Sequence, residues 1–253
     1  MKRLEENVTI ITGGGKGIGY GLAQAFAEAG SNLVITGRTL SRLESAKERL
    51  EAEYGVKVLP IVADGADEAA IKDVVAQTIA TFGKINTLVN NAQVSKSGLP
   101  LIEHTKEDLD LSIHSGLYAA FFYMRECHPY LKESKGSVIN FASGAGLFGK
   151  LGQSSYAAAK EGIRGLSRVA AAEWGPDGIR VNVICPLAMT ESLMEWRENY
   201  PDLFAKTIQG IPLGRCADPK DDIGRVAVFL ASEDAHYITG ETITLQGGSG
   251  LRP

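Results

Sequence analysis

Asn7-Val-Thr-Ile-Ile-Thr12 runs without a break into Gly13-Gly-Gly-Lys-Gly-Ile-Gly19, and an alanine-rich stretch covers 18–29. The first six residues form a β-branched run of strand length, and the alanine-rich stretch has the composition of a helix. Glycines between the two let backbone N–H groups approach a pyrophosphate, whose charge the following helix N-terminus favours. The spacing is Gly13-x-x-x-Gly17-x-Gly19 rather than the G-x-G-x-x-G of the dinucleotide fingerprint. Alone, such a loop need be no more than a tight turn. Placed first in an alternating chain, it predicts a nucleotide site in which Gly13, Gly15, Lys16, Gly17, Ile18 and Gly19 meet the phosphates.

That alternation continues to the C-terminus. Apolar, β-branched runs lie at 7–12, 32–36, 57–62, 85–90, 137–142, 180–184 and 241–245, with helical stretches at 18–29, 41–54, 67–82, 106–131, 154–174 and 221–231. Near-continuous apolar strands separated by helices predict an α/β fold with a doubly wound parallel sheet and helices on both faces. Ser41-x-x-Glu44 has capping-box spacing, and Asp67 with Glu68 suits a helix N-terminus. No linker or repeat divides the chain, so 1–253 reads as a single dinucleotide-binding and catalytic domain. The segment 187–213 breaks the alternation, being apolar yet irregular. It reads either as a surface helix pair or as a substrate lid beyond the C-terminal strand ends, where open α/β sheets bind ligands.

The 253 residues are 44% hydrophobic and 22% charged, with a net charge of −4. That balance, without a Lys/Arg cluster, argues against a nucleic-acid partner. No apolar run reaches the ~18–20 residues that span a bilayer, and the charged N-terminus does not resemble a secretory leader. Cys127, Cys185 and Cys216 are odd in number and far apart, as expected of reduced thiols in a cytoplasmic protein. Four histidines without ligand spacing predict no metal.

After the second strand comes Thr36-Gly37-Arg38. A carboxylate there would bind the adenosine ribose of NAD and repel a 2′-phosphate. A small residue followed by a guanidinium, with Lys16 in the glycine loop, instead suits the 2′-phosphate of NADP. NADP (NADPH) is therefore expected in preference to NAD. Asp64, after the third strand, is placed to meet adenine, and Asn90 and Ala92, after the fourth, would lie against the cofactor. Tyr156-Ala-Ala-Ala-Lys160, with Ser143 upstream, supplies the chemistry. Residues four apart share a helix face, so the ammonium projects with the phenol and favours its ionised form. Such a tyrosine can exchange a proton with the oxygen of a carbonyl or alcohol, and a serine aimed at the same oxygen steadies developing charge.

These residues in this order resemble the short-chain dehydrogenase/reductase family over essentially the whole chain. The motifs are Thr12 to Gly19, Asp64, Asn90-Asn91-Ala92, Ser143, Tyr156-x-x-x-Lys160, Asn182 and Pro186. The resemblance implies a seven-stranded Rossmann-type sheet and an NAD(P)-dependent enzyme interconverting a ketone and a secondary alcohol. A 3-oxoacyl-like or other small apolar carbonyl is the expected substrate. It also implies Tyr156 as acid-base, Ser143 positioning the substrate oxygen, and Lys160 binding the nicotinamide ribose while lowering the Tyr156 pKa. Pro186 and Thr190 fall where the family seats the cofactor. The family's habit implies a homodimer or homotetramer built on helices 106–131 and 154–174.

The chain departs from the family at four positions. A helix asparagine becomes Gly116, Asn-Asn-Ala-Gly reads Asn90-Asn91-Ala92-Gln93, Pro-Gly reads Pro186-Leu187, and the expected threonine falls one residue early as Thr190. The longer Gln93 is expected to place its amide in the space left at Gly116. Leu147, Phe148, Gln153, Met189, Met194 and Trp196 suggest an apolar pocket. Two other classes remain open on the sequence. One is a nucleotide-binding regulatory or scaffold protein with lost or weak redox activity. The other is a non-redox lyase or epimerase using the same tyrosine.

Overall fold

Seven strands form one parallel sheet in the order β3-β2-β1-β4-β5-β6-β7. They are β1 Val8–Thr12, β2 Asn32–Gly37, β3 Val58–Val62, β4 Thr87–Asn90, β5 Ser137–Phe141, β6 Arg180–Pro186 and β7 Thr242–Leu245. The computed structural model describes residues 2–250. The chain starts at the centre of the sheet, winds outward to β3, and returns to build the other half from β4. The order therefore reverses beside β1, which opens a crevice between the C-terminal ends of β1 and β4. This is the doubly wound Rossmann fold, with every predicted strand within two residues of its expected limits.

The helices are α1 Gly17–Glu28, α2 Leu40–Tyr54, α3 Glu68–Phe82, α4 Lys106–Ser112, α5 Ala119–Ser134, α6 Gly144–Phe148, α7 Ser154–Trp174, α8 Glu191–Asn199, α9 Pro201–Gln209 and α10 Arg225–Ala231. Alternating strand residues feed two cores. Ile11, Leu33, Ile35, Val89 and Ile139 pack with Leu22 and Phe26 of α1, Leu43 of α2 and Leu230 of α10. Their neighbours Ile10, Val34, Leu88 and Val138 point the other way, to Val74 of α3, Leu131 of α5 and Ala170 of α7. Burial of both sheet faces explains why the strands read as continuous apolar runs.

Three expectations need correction. The Ser41/Glu44 box is not the cap of α2, which starts at Leu40 after Thr39, without a side-chain cap. The full capping box instead joins Thr105 and Asp108 at the start of α4. The predicted helix 106–131 is interrupted by a π-helical stretch, Ile113–Tyr118. Another, Pro219–Gly224, precedes α10. A π-turn inserts a residue that the 3.6-residue apolar period does not reveal. In the 187–213 segment, one of the two readings is a helix pair, and two regular helices are found there, α8 and α9, whose rings Trp196 and Phe204 meet at 6.0 Å. Among the described residues no helix is long and apolar enough to cross a membrane.

Candidate active site

A cleft of ≈ 600 Å³ opens at the switch point. Its floor is the glycine loop. Gly13 and Gly17 hold φ of +70° and +54°, a region that favours glycine. A Cβ on Gly13 would fall 3.1 Å from Asn91 Nδ2, and one on Gly19 would strike the Gly13 carbonyl. Thr12 locks the loop to the end of β4. Its hydroxyl accepts from the backbone N–H of Asn91 (2.9 Å) and of Ala92 (3.0 Å), while Asn91 Nδ2 donates to the Thr12 carbonyl at 2.9 Å. The backbone is thus bare where a pyrophosphate would approach.

The predicted Gly13, Gly15, Lys16, Gly17, Ile18 and Gly19 all line this cleft, as do Arg38, Asp64, Asn90, Ala92 and Thr190. Thr190 caps α8 by accepting from Leu193 N–H at 3.3 Å, and a Cβ on Gly17 would meet its methyl at 3.9 Å. One cation escaped the sequence reading. Arg42, on the first turn of α2, lines the cleft with Arg38 and Lys16. Its spacing of four from Arg38 was the available signal. Among the described residues none of these three cations makes an ion pair, so an anionic dinucleotide fits the cradle by shape and by charge. Asn90 differs from its predicted role in part. Its amide nitrogen turns to Asn140 Oδ1 at 2.8 Å, although its Oδ1 is buried without a partner. Leaving such an acceptor unpaired costs about 1–3 kcal/mol. No group of three or more His, Cys, Asp or Glu among the described residues is placed to hold a metal ion, and all three cysteines are free and buried.

Ser143, Tyr156, Lys160 and Pro186 do not line the cleft. Pro186 ends β6 in register with Leu245. Ser143 leaves the end of β5 and caps α6, accepting from Ala145 N–H at 3.1 Å. Tyr156 and Lys160 lie one turn apart on α7, and Lys160 Nζ sits 5.6 Å from the centre of the phenol ring. The lysine is 3% exposed, and its ammonium donates to the Phe141 carbonyl at 2.6 Å. Burial pushes its pKa down to about 8.

For Tyr156 the electrostatics reverse the expectation. Burial pushes the phenol above its ordinary value, and a hydrogen bond with Ser143 recovers only part of that rise. Desolvation is the largest influence on the phenol, and the ammonium one turn away does not offset it. The seat of α7 is fixed by polar contacts along its buried face. Ser155 Oγ meets Ser112 Oγ at 3.1 Å, and Ser167 Oγ accepts from Asn140 Nδ2 at 2.8 Å.

Gln93 occupies the space expected of it. A Cβ on Gly116 would fall 2.7 Å from Gln93 Cδ, and Gln93 Nε2 reaches the Ser112 carbonyl at 3.4 Å. Of the expected apolar pocket, the partly buried Leu147 packs on the small core of Ala142, Val183 and Cys185, and Phe148 and Met194 are half-exposed.

Sheet order, glycine cradle and cation-lined crevice define a Rossmann-type protein of the dinucleotide-dependent oxidoreductase class. The chain belongs to the short-chain dehydrogenase/reductase family, whose members use NAD(P), and is a carbonyl/alcohol oxidoreductase. A family model described as enoyl-(acyl carrier protein) reductase matches residues 13–249. A 12alpha-hydroxysteroid dehydrogenase from a Clostridium species is 60% identical over 259 residues, covering 100% of both chains. A 3-oxoacyl-[acyl-carrier-protein] reductase from Thermotoga maritima is 35% identical, over 97% of this chain and 98% of that one. The crystal structure of levodione reductase superposes with a TM-score of 0.92 at 32% identity, over 98% of this chain and 99% of that one.

Proposed function

We propose that this protein is an NADP(H)-dependent hydroxysteroid dehydrogenase, reducing a ring ketone or oxidising the corresponding secondary alcohol. The observation that carries the chemistry is the Ser143, Tyr156 and Lys160 trio, in which the buried Lys160 ammonium lies 5.6 Å from the phenol ring and Ser143 acts to lower the phenol's pKa. When bound, the nicotinamide cofactor donates or accepts the hydride. Tyr156 holds its proton through neutral pH because burial raises its pKa, which suits it to protonate a carbonyl oxygen. Ser143 donates to the same oxygen and holds it in place. Lys160 supplies the positive charge that stabilises the phenolate left behind. Lys16, Arg38 and Arg42 would hold the adenosine 2′-phosphate, the glycine loop the pyrophosphate, and Asp64, Asn90, Ala92, Pro186 and Thr190 the remainder of the cofactor.

The steroid class rests on the 60% identity to a 12alpha-hydroxysteroid dehydrogenase. A broad, rigid, apolar substrate also suits the half-exposed Phe148, Met194, Tyr200 and Leu203. We read 187–213 as the lid that closes over it, within one catalytic unit of residues 1–253. Tyr118, Phe121 and Val169 are 43%, 41% and 54% exposed on the π-helical stretch, α5 and α7, which supports assembly as a homo-oligomer. The test is NADPH consumption with 12-oxosteroids, other ring ketones and 3-oxoacyl thioesters. Fastest turnover on a steroid ketone is expected. Exclusive use of the thioester would replace the steroid reading by that of an acyl reductase.

A further inference from the structure

The π-helical stretch Ile113–Tyr118 lies between the cofactor cleft and α7, and one side chain from outside it fills its open side. Gln93 follows β4 in the loop that Thr12 anchors. Its amide carbon sits 2.7 Å from the point where any side chain at 116 would begin, so a side chain there would push the Gln93 amide out of its present seat. Its Nε2 donates to the Ser112 carbonyl at 3.4 Å, and its Oε1 is buried without a partner. The adjacent Val94 is fastened to the same stretch, because the Ser115 hydroxyl accepts from Val94 N–H (3.1 Å), with its one proton shared between the carbonyls of Leu111 (2.6 Å) and Val94 (2.9 Å).

The other side of the stretch bears on α7. Ser112 Oγ meets Ser155 Oγ, the residue before Tyr156, at 3.1 Å. Further along the helix, a Cβ on Gly162 would fall 2.8 Å from Leu117 Cδ2. The loop that faces the cofactor is therefore joined to the helix that carries Tyr156 and Lys160 through a widened helical turn. Such single π-turns inside helices are frequent at functional sites, and Gln93 packs directly against this one.

We infer that Gln93 is a positioning residue, coupled to Gly116, that sets the seat of Tyr156 through the 113–118 stretch. The inference rests on the reading of Tyr156 as the proton donor. Truncating Gln93 lets the stretch relax toward the loop and carries Ser155 and Tyr156 with it. Small misplacements of an acid-base group cost turnover more than binding.

The experiment is a swap. Gln93→Gly, Gly116→Asn and the double variant are compared in ketone reduction, NADPH binding and thermal melting. Each single change is expected to lower kcat about 10-fold or more, and Gln93→Gly to leave the NADPH Kd within about 2-fold. The pH at which kcat falls should also shift in Gln93→Gly. In the double variant the introduced asparagine fills the same space from the helix side. Its kcat should recover to within about 3-fold of the parent, and the pH of its decline should return. If Gly116→Asn does not fold, Gly116→Ala takes its place, since even one Cβ meets the amide. Losses that multiply in the double variant, or a kcat profile unmoved in pH, overturn the inference. Tyr156→Phe run alongside separates the two readings: an active Tyr156→Phe sinks the proton-donor assignment, whereas multiplying losses beside an inactive Tyr156→Phe sink only the role of Gln93.

Discussion

Lys160 spends its charge on the end of the neighbouring strand, its ammonium donating to the main-chain carbonyl of Phe141 at 2.6 Å. A single carbonyl is a modest return for removing an ammonium from water. The drop from 10.5 to about 8 puts the cost of keeping it charged at about 3–4 kcal/mol, at ~1.4 kcal/mol per pH unit. Lys160→Met should therefore abolish turnover while raising the melting temperature at neutral pH. Loss of the Phe141 hydrogen bond leaves a net gain of about 1 kcal/mol, or roughly 2–4 °C for a chain of this size. The folded pKa lies below the unfolded one, so from pH 8 to about 10.4 the unfolded chain binds more protons and the parent gains stability with rising pH. The advantage of the variant should be full below about pH 8 and gone by about pH 10.4. Melting curves at about pH 7 and about pH 10 check it, and a variant less stable at both would show that the buried charge is well compensated.

Tyr156 and Lys160 together predict the shape of the pH profile. The phenol stays protonated through neutral pH because its pKa is raised, so ketone reduction should be level there. Above about pH 8 the ammonium loses its proton, and with it the charge that stabilises the departing phenolate. Reduction should then decline on the alkaline side, while alcohol oxidation, which needs the phenol as a base, should gain with pH before Lys160 is lost. Tyr156→Phe should remove nearly all turnover, about 10²-fold or more, with NADPH binding intact. Reduction that accelerates between about pH 8 and about pH 10 would be incompatible with this assignment.

The parts of this molecule legible in the sequence are those governed by local rules. Strand limits followed from β-branched runs such as Val8–Thr12, and α7 was delimited without error because its buried stripe keeps one period over 21 residues. The glycine loop was legible because positive φ at Gly13 and Gly17 requires glycine. What escaped depends on partners distant in sequence. The π-turn at 113–118 is braced by Gln93 from another segment, so the apolar period gave no sign of it. The direction of the Tyr156 shift escaped for a similar reason: spacing put a cation beside the phenol, but only tertiary packing determines how far both are desolvated. Arg42 escaped because it lies beyond the end of β2, on a helix turn that the fold bends back over the cleft.

Arg42 bears directly on cofactor choice. Arg38 follows β2 and Arg42 lies on the first turn of α2, so both guanidiniums border the cleft beyond Gly37, with Lys16 in the glycine loop. All three are side chains that a 2′-phosphate would engage by charge-assisted hydrogen bonds, each worth about 1.5–3 kcal/mol when formed to a charged group. A ribose hydroxyl offers no comparable charge, so removing these cations should weaken NADPH far more than NADH. Arg38→Asp replaces attraction by repulsion and should lower kcat/KM for NADPH at least about 100-fold, with NADH unchanged or improved. Arg42→Ala should cost NADPH about 10-fold and leave NADH untouched, and the two changes should combine less than additively if both contact one phosphate. Steady-state kinetics with each cofactor at two salt concentrations check this, because the NADPH advantage of the parent should shrink as salt screens the exposed guanidiniums. Equal losses for both cofactors in Arg38→Asp would instead assign this side of the cleft to the adenosine as a whole and remove the basis for an NADP preference.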